Sequence, residues 1–291
     1  MMSFLSYLIS GLGLGSVYAI IALGYSMVYG IAKMLNFAHG DIIMIGAFAA
    51  YFCIYTYHLP VFVAVIISVV VCTVLGVVIE RLAYKPLREA SSLSVLITAI
   101  GVSYFLENAA MMLWGTDTKI FPTILSGSLN VGGVNIYYTT LVTIAVCIAI
   151  MLVLTWFINN TKTGRAMRAC SEDKGAAALQ GINVNKIISI TFAIGSGLAA
   201  IAAILLCATF PSVYPTLGSM PGIRAFTAAV LGGIGSIPGA FLGGMLLGVI
   251  ENLSKAYISA QLSDAIVFGV LIVVLLLKPA GLLGKKVNEK V

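Results

Sequence analysis

Apolar runs close to the ~20 residues that cross a bilayer as a helix follow one another from Phe4 to Leu277, with only short polar segments between them. Backbone N–H and C=O groups in hydrocarbon must be satisfied inside the protein, and runs of this length do so as helices. Only 9% of the 291 residues are charged and 60% are hydrophobic, whereas a soluble domain is about a quarter charged. The chain therefore reads as an all-α polytopic membrane protein. The net charge of +6 does not point to nucleic acid, because the basic residues sit in short loops. No cleavable-signal pattern precedes the first run.

The runs are Phe4 to Ala32, Ile42 to His58, Val61 to Ile79, Leu93 to Leu113, Asn135 to Ile158, Ile187 to Ala208, Gly239 to Ile258 and Leu262 to Leu277. Gly222 to Ile237 is shorter and rich in glycine, and reads as a tilted span or a re-entrant helix lined by protein. Residues 80–89, 159–186 and 278–291 hold 12 of the 16 Lys and Arg. The positive-inside rule places these three segments in the cytoplasm. An N-terminus outside and a C-terminus inside then require an odd number of crossings: nine, within a range of eight to ten. Trp114 to Val134 reads as a turn-rich loop on the opposite side, and Tyr137, Tyr138 and Trp156 as belt residues of the fifth span.

Ile9 to Ile21 and Ile194 to Leu206 are similar Gly/Ala-rich stretches. Each is followed by a polar break and then by Gly-Ala-Phe, at Gly46 and at Gly239. The two copies cross in opposite senses, as an inverted repeat with broken helices requires. One transmembrane domain then covers 1–291: a first repeat 1–113, a linking helix and cytoplasmic loop 135–186, a second repeat 187–278 and a cytoplasmic tail 279–291.

No P-loop, GxSxG or HExxH occurs, and neither the two histidines nor the five cysteines have metal-ligand spacing. The chain is expected to be no enzyme, to bind no cofactor or metal, and to draw energy from a gradient or a partner. A gradient-driven carrier buries acids at mid-depth. Its candidates, Asp41, Glu107 and Glu251, are each near a break, a span end or Lys255. The central loop Asn159 to Lys186 has more structure than a linker needs. Gly164 to Gly181 reads as a short helix, with Ser171 as cap, Glu172 and Asp173 in the first turn, Ala176 to Ala178 as a smooth face and Gly181 as the stop. Arg165 and Arg168 lie on the preceding turn.

The segment GRAMRACSEDKGAAALQGINV resembles the cytoplasmic coupling loop of ABC-importer permeases. MVYGIAKMLNFAHGDIIMIGAF, ERLAYKPLR, RAFTAAVLGGIGSIPGAFLGG and KPAGLLG extend the likeness over nearly the whole chain. It is similar to the branched-chain amino-acid permeases of bacterial inner membranes, of the Liv-H type. The resemblance implies a multi-pass subunit that imports branched-chain amino acids by alternating access. It would pair with a second, homologous permease, two cytoplasmic ATPases carrying ATP and Mg, and an extracytoplasmic binding protein. Arg165, Arg168, Glu172, Ala177 and Gly181 would form the ATPase-coupling loop. Asn36, His39 and Asp41 in the first break, Glu107 and Asn108 in the fourth span, and Thr227, Gly233 and Ser236 in the second break are candidates for the translocation path or its gate. Permeases for urea or short amides share such motifs, so the cargo stays open, as does a gradient-driven carrier.

Overall fold

The computed structural model describes residues 2–88, 90–131 and 134–284. Among them are the helices α1 (Met2–Ala32), α2 (His39–Tyr51), α3 (Val61–Ile79), α4 (Ser92–Trp114), α5 (Tyr138–Asn160), α6 (Lys162–Glu172), α7 (Lys174–Leu179), α8 (Val184–Thr209), α9 (Ser219–Gly232), α10 (Ile237–Tyr257) and α11 (Ser263–Leu277). Among the described residues, seven helical segments are long and apolar enough to span a bilayer: α1, α2 with the π-helical turn Phe52–Thr56, α3, α4, α5, α8 and α10. The difference from nine lies in α9 and α11, of 14 and 15 residues. At 1.5 Å per residue they rise about 21–22 Å, short of the roughly 30 Å of hydrocarbon.

The helices form a buried centre and a lipid-facing rim. The most apolar windows of α8 and α2 are 72% and 67% buried, that of α5 only 17%. Lipid tails are as apolar as leucine, so helices associate in a membrane through close packing rather than by escaping water. Glycine makes this possible between α1 and α10, which run antiparallel. A β-carbon on Gly248 would lie 2.2 Å from Cα of Gly15, and one on Gly244 would lie 2.4 Å from Cα of Ala19.

Two breaks enter this centre. α1 ends at Ala32, Lys33 takes a left-handed φ of 58°, and residues 33–38 lead back to α2. The first residue of α2, His39, packs against Gly24, about 12 Å back from the end of α1. After α8, residues 210–218 likewise return to the middle before α9 begins. The two returns touch: a β-carbon on Gly40 would lie 2.6 Å from the carbonyl oxygen of Gly218.

Several sequence expectations change. Residues 80–87, expected to be part of a short basic loop, continue α3 as a π-helical turn (Glu80–Tyr84) and a 3-10 turn (Lys85–Leu87). The reason is that Glu80 and Tyr84 are buried and bonded, the carboxylate by Arg88 and by Ser189 (2.7 Å), the phenol to Asn36 (2.8 Å). The 114–134 loop contains strands. β1 (Lys119–Ile120) pairs antiparallel with β4 (Ser212–Val213), and β2 (Ser128–Val131) with β3 (Val134–Tyr137). The Gly-Ala-Phe triplets fall within α2 and in the first turn of α10. Of the expected tail, Leu282 and Leu283 donate backbone bonds to Leu231 and Gly232 (2.9 and 2.8 Å). Lys285, Lys286 and Lys290 lie outside the described residues.

Close helix approach predicts opposite outcomes for two alanines. Gly248→Ala should lower stability by about 1–3 kcal/mol through overpacking. Gly101→Ala, with open space around it on α4, should add about 0.5–1 kcal/mol through helix propensity. Thermal unfolding of the purified chain in detergent distinguishes them.

Candidate functional site

The central loop folds as two short helices rather than one. Thr161 caps α6, accepting from the Gly164 amide (3.0 Å), and Asp173 caps α7, accepting from Ala176 (2.9 Å). Ser171 is therefore not a cap; its hydroxyl donates back to the Arg168 carbonyl at 2.7 Å. Asp173 competes better because it has extended backbone (φ −153°, ψ 116°), as an N-cap requires. Gly181 ends the loop with φ +81°. Gly164, Met167 and Cys170 face inward at helical spacing, while Lys162, Arg165, Arg168 and Glu172 are exposed. The alanine face is split: Ala177 is buried, whereas Ala176, Ala178 and Leu179 face outward. Leu179 is 92% exposed, an apolar anchor that sequence reasoning passed over.

Lys174 provides the loop's inward link. Its Nζ donates at 2.6 Å to the carbonyl of Ala32, the last residue of α1. A cation there satisfies a helix-end carbonyl and suits the negative end of the helix dipole. Burial, and then the neighbouring Arg88 and Lys33 charges, lower the Lys174 pKa from its ordinary value. The first break begins one residue beyond Ala32.

Both breaks open on one cleft of about 430 Å³. Phe37, Gly40 and Asp41 line it from the first, Thr216, Ser219 and Ile223 from the second, and Ile100, Ser103, Tyr104 and Glu107 from α4. Glu107 accepts from the Ser219 hydroxyl at 2.5 Å. Asp41 is 2% exposed and its Oδ2 has no hydrogen-bond partner. His39 lies just behind, its ring 4.6 Å from that of Tyr25, with Nε2 also unpartnered. Asn36 anchors the break to Tyr84. The structure thus gathers Asn36, His39, Asp41 and Glu107 at or beside the cleft.

Four candidates lie elsewhere. Asn108 is exposed on α4 and donates to the Tyr104 carbonyl (2.7 Å). Thr227 bonds back to Ile223 within α9. Gly233 ends α9 with φ +108°, and Ser236 caps α10. These last three belong to the far half of α9 and its turn into α10, so the part of the second break that reaches the cleft is 216–223. Among the described residues no three His, Cys, Asp or Glu side chains are grouped to hold a metal ion.

Sequence reasoning missed an ionic cluster around Arg224. Its guanidinium reaches Glu251 (2.9 Å) on α10, Asp264 (2.6 Å) on α11 and the Tyr18 hydroxyl (3.0 Å) on α1. Lys255 adds the expected i,i+4 pair with Glu251. The available signal was that Arg224 and Lys255 fall outside the three basic segments, and that Glu251 and Asp264 lie in the apolar helices that follow Arg224. Removing Arg224 leaves the fully buried Glu251 side chain with Lys255 alone and takes the donor from the Tyr18 hydroxyl, and breaking a buried ionic contact is strongly destabilising. Arg224→Met should therefore cost about 3 kcal/mol of stability. Arg224→Met/Glu251→Met should recover most of it, read as unfolding temperature in detergent.

The family described as "Branched-chain amino acid transport system / permease component" matches residues 7–275. The chain is 46% identical to the high-affinity branched-chain amino acid transport system permease protein BraD of Pseudomonas aeruginosa, over 99% of this chain and 98% of that one. It is 44% and 43% identical to the permease proteins LivH of Salmonella typhimurium and Escherichia coli K12, over the same shares. With its family match over residues 7–275 and relatives 43–46% identical across nearly the full length of both chains, the chain belongs to the branched-chain amino acid transport system permease component family.

Proposed function

We propose that the chain is a permease subunit of an ATP-driven importer of branched-chain amino acids, acting by alternating access in a bacterial inner membrane. A second permease subunit, two cytoplasmic ATPases holding ATP and Mg, and an extracytoplasmic binding protein complete the assembly. The observation that carries this reading is the Lys174 bond to Ala32, because it joins the exposed face of α6 and α7 to the start of the first break. Arg165, Arg168 and Leu179 offer an ATPase two charges and an apolar anchor. Movement of the loop is passed through Lys174 to the end of α1, on to residues 33–38, where Asn36 lies, and to the start of α2, where Asp41 lies. Rigid-body coupling of this kind needs a stiff link rather than a large interface.

The cleft supplies a route with the right chemistry. The ammonium of an amino acid suits Asp41 and Glu107, and an apolar side chain suits Phe37, Ile100 and Ile223. In the nine-span topology, α1 with α2 and α8 with α9 form the corresponding halves of an inverted repeat, each a long helix, a break and a short helix. A gradient-driven carrier takes its one support from the same two carboxylates. It predicts uptake by the lone chain down an ion gradient. A permease for urea or short amides would leave the two acids without a charged cargo.

In the reconstituted complex, Arg165→Glu/Arg168→Glu should reduce substrate-stimulated ATPase activity about tenfold. Lys174→Met should do the same while leaving the ATPases bound. Unchanged stimulation in both variants would remove the loop from the coupling path. Asp41→Asn should reduce leucine uptake and leave basal ATP hydrolysis unchanged.

A further inference from the structure

A second groove lies between the end of α3 and the start of α8, apart from the cleft and from the outer face of the coupling loop. It encloses about 520 Å³ and is ringed at one end by Arg81, Lys85 and Lys186. Its apolar lining is Val77, Ile190 and Ala193, and the uncharged polar Asn183, Asn185 and Ser189 complete it. Among the described residues none of the three cations is ion-paired. The acid beside them, Glu80, is taken up by Arg88 and Ser189.

Helical spacing explains why such a groove has two chemistries. Val70, Val74, Val77 and Arg81 follow one another three or four positions apart, so they form a single stripe along α3 and into its π-helical turn. Val70 and Val74 are 55% and 58% exposed on a helix long and apolar enough to span the membrane. The stripe therefore runs from a lipid-facing surface into a ring of unpaired positive charge. A water-soluble anion satisfies only the basic end, and an acidic protein side chain would not extend along hydrocarbon. A phospholipid with an anionic headgroup fits both ends.

We propose that this groove binds one anionic phospholipid, its phosphate held by Arg81, Lys85 and Lys186 and an acyl chain laid over Val77, Ile190 and Ala193. Basic side chains near a membrane surface attract anionic lipid over zwitterionic lipid, and this preference is what the test reads. The site is independent of the transported substrate. It would hold the basic turn after α3 against α8, next to the Arg88 contacts with Glu80 and Asn185.

The test is native mass spectrometry of the full-length chain, purified in detergent, delipidated and titrated with phosphatidylglycerol or phosphatidylcholine. Phosphatidylglycerol should be retained about tenfold better, and a large excess of inorganic phosphate should not displace it. Arg81→Gln/Lys186→Gln should abolish the preference, whereas Lys119→Gln/Lys278→Gln, with the same net charge, should keep it. Equal retention of the two lipids by the wild-type chain would overturn the proposal without reference to any variant. So would an undiminished preference in Arg81→Gln/Lys186→Gln, or displacement by phosphate alone, which would make the groove a site for a free anion.

Discussion

Non-helical backbone inside a bilayer survives only where protein takes the place of water around it, and the arrangement of this chain follows from that demand. Residues 33–38 and 210–218 both leave the helical pattern and lead back to the middle of the bundle, where Gly40 and Gly218 meet. Their shelter is the most buried set of helices, α1, α2, α8 and the half-length α9, with α10 closing over α1. Because lipid supplies no drive for helices to meet, the shelter depends on contacts that only small residues permit. Gly15 against Gly248 brings two full-length helices together, and Gly40 against Gly218 brings the two breaks together. The longer side chains of α3, α4 and α5 are left to face lipid.

Close packing positions helices without making the interrupted ones stiff, and polar links do that at two points. Arg224 ties α9 to α1, α10 and α11 through Tyr18, Glu251 and Asp264. Lys174 ties the central loop to the last carbonyl of α1. The cleft lies between these two anchorages. Its polar groups, Asp41, Glu107, Ser103 and Ser219, come from three separate stretches of chain.

Much of this was legible in residues. The apolar runs located α3 to the residue and α4 and α5 within a few, because nothing competes with helix in a long apolar run. The polar break at 33–41 was legible because Asn36, His39 and Asp41 interrupt such a run. The errors occurred where a side-chain partner is remote in sequence. Glu80 and Tyr84 read as part of a short basic loop because Ser189 and Asn36, which bury them, lie far along the chain. Ser171 and Asp173 are both capable caps, and only the backbone angle selects Asp173. Gly233 and Ser236, which the resemblance gave as path or gate candidates, lie at the other end of α9 from Ser219, a separation that their shared glycine-rich stretch does not reveal.

The amino-acid sequence by itself determined the class of molecule and the order of its parts: spanning helices, two breaks and a basic, partly helical central loop. These follow from local composition, since a charge or a glycine has the same cost wherever hydrocarbon surrounds it. Only the tertiary structure decided which polar groups share a space. That Asp41 faces Ser103 and Glu107, that Arg224 closes on Glu251 and Asp264, and that Lys174 meets Ala32 are consequences of helix packing. Distance along the chain has no bearing on such meetings once helices cross within contact of one another, so no spacing in the sequence encodes them.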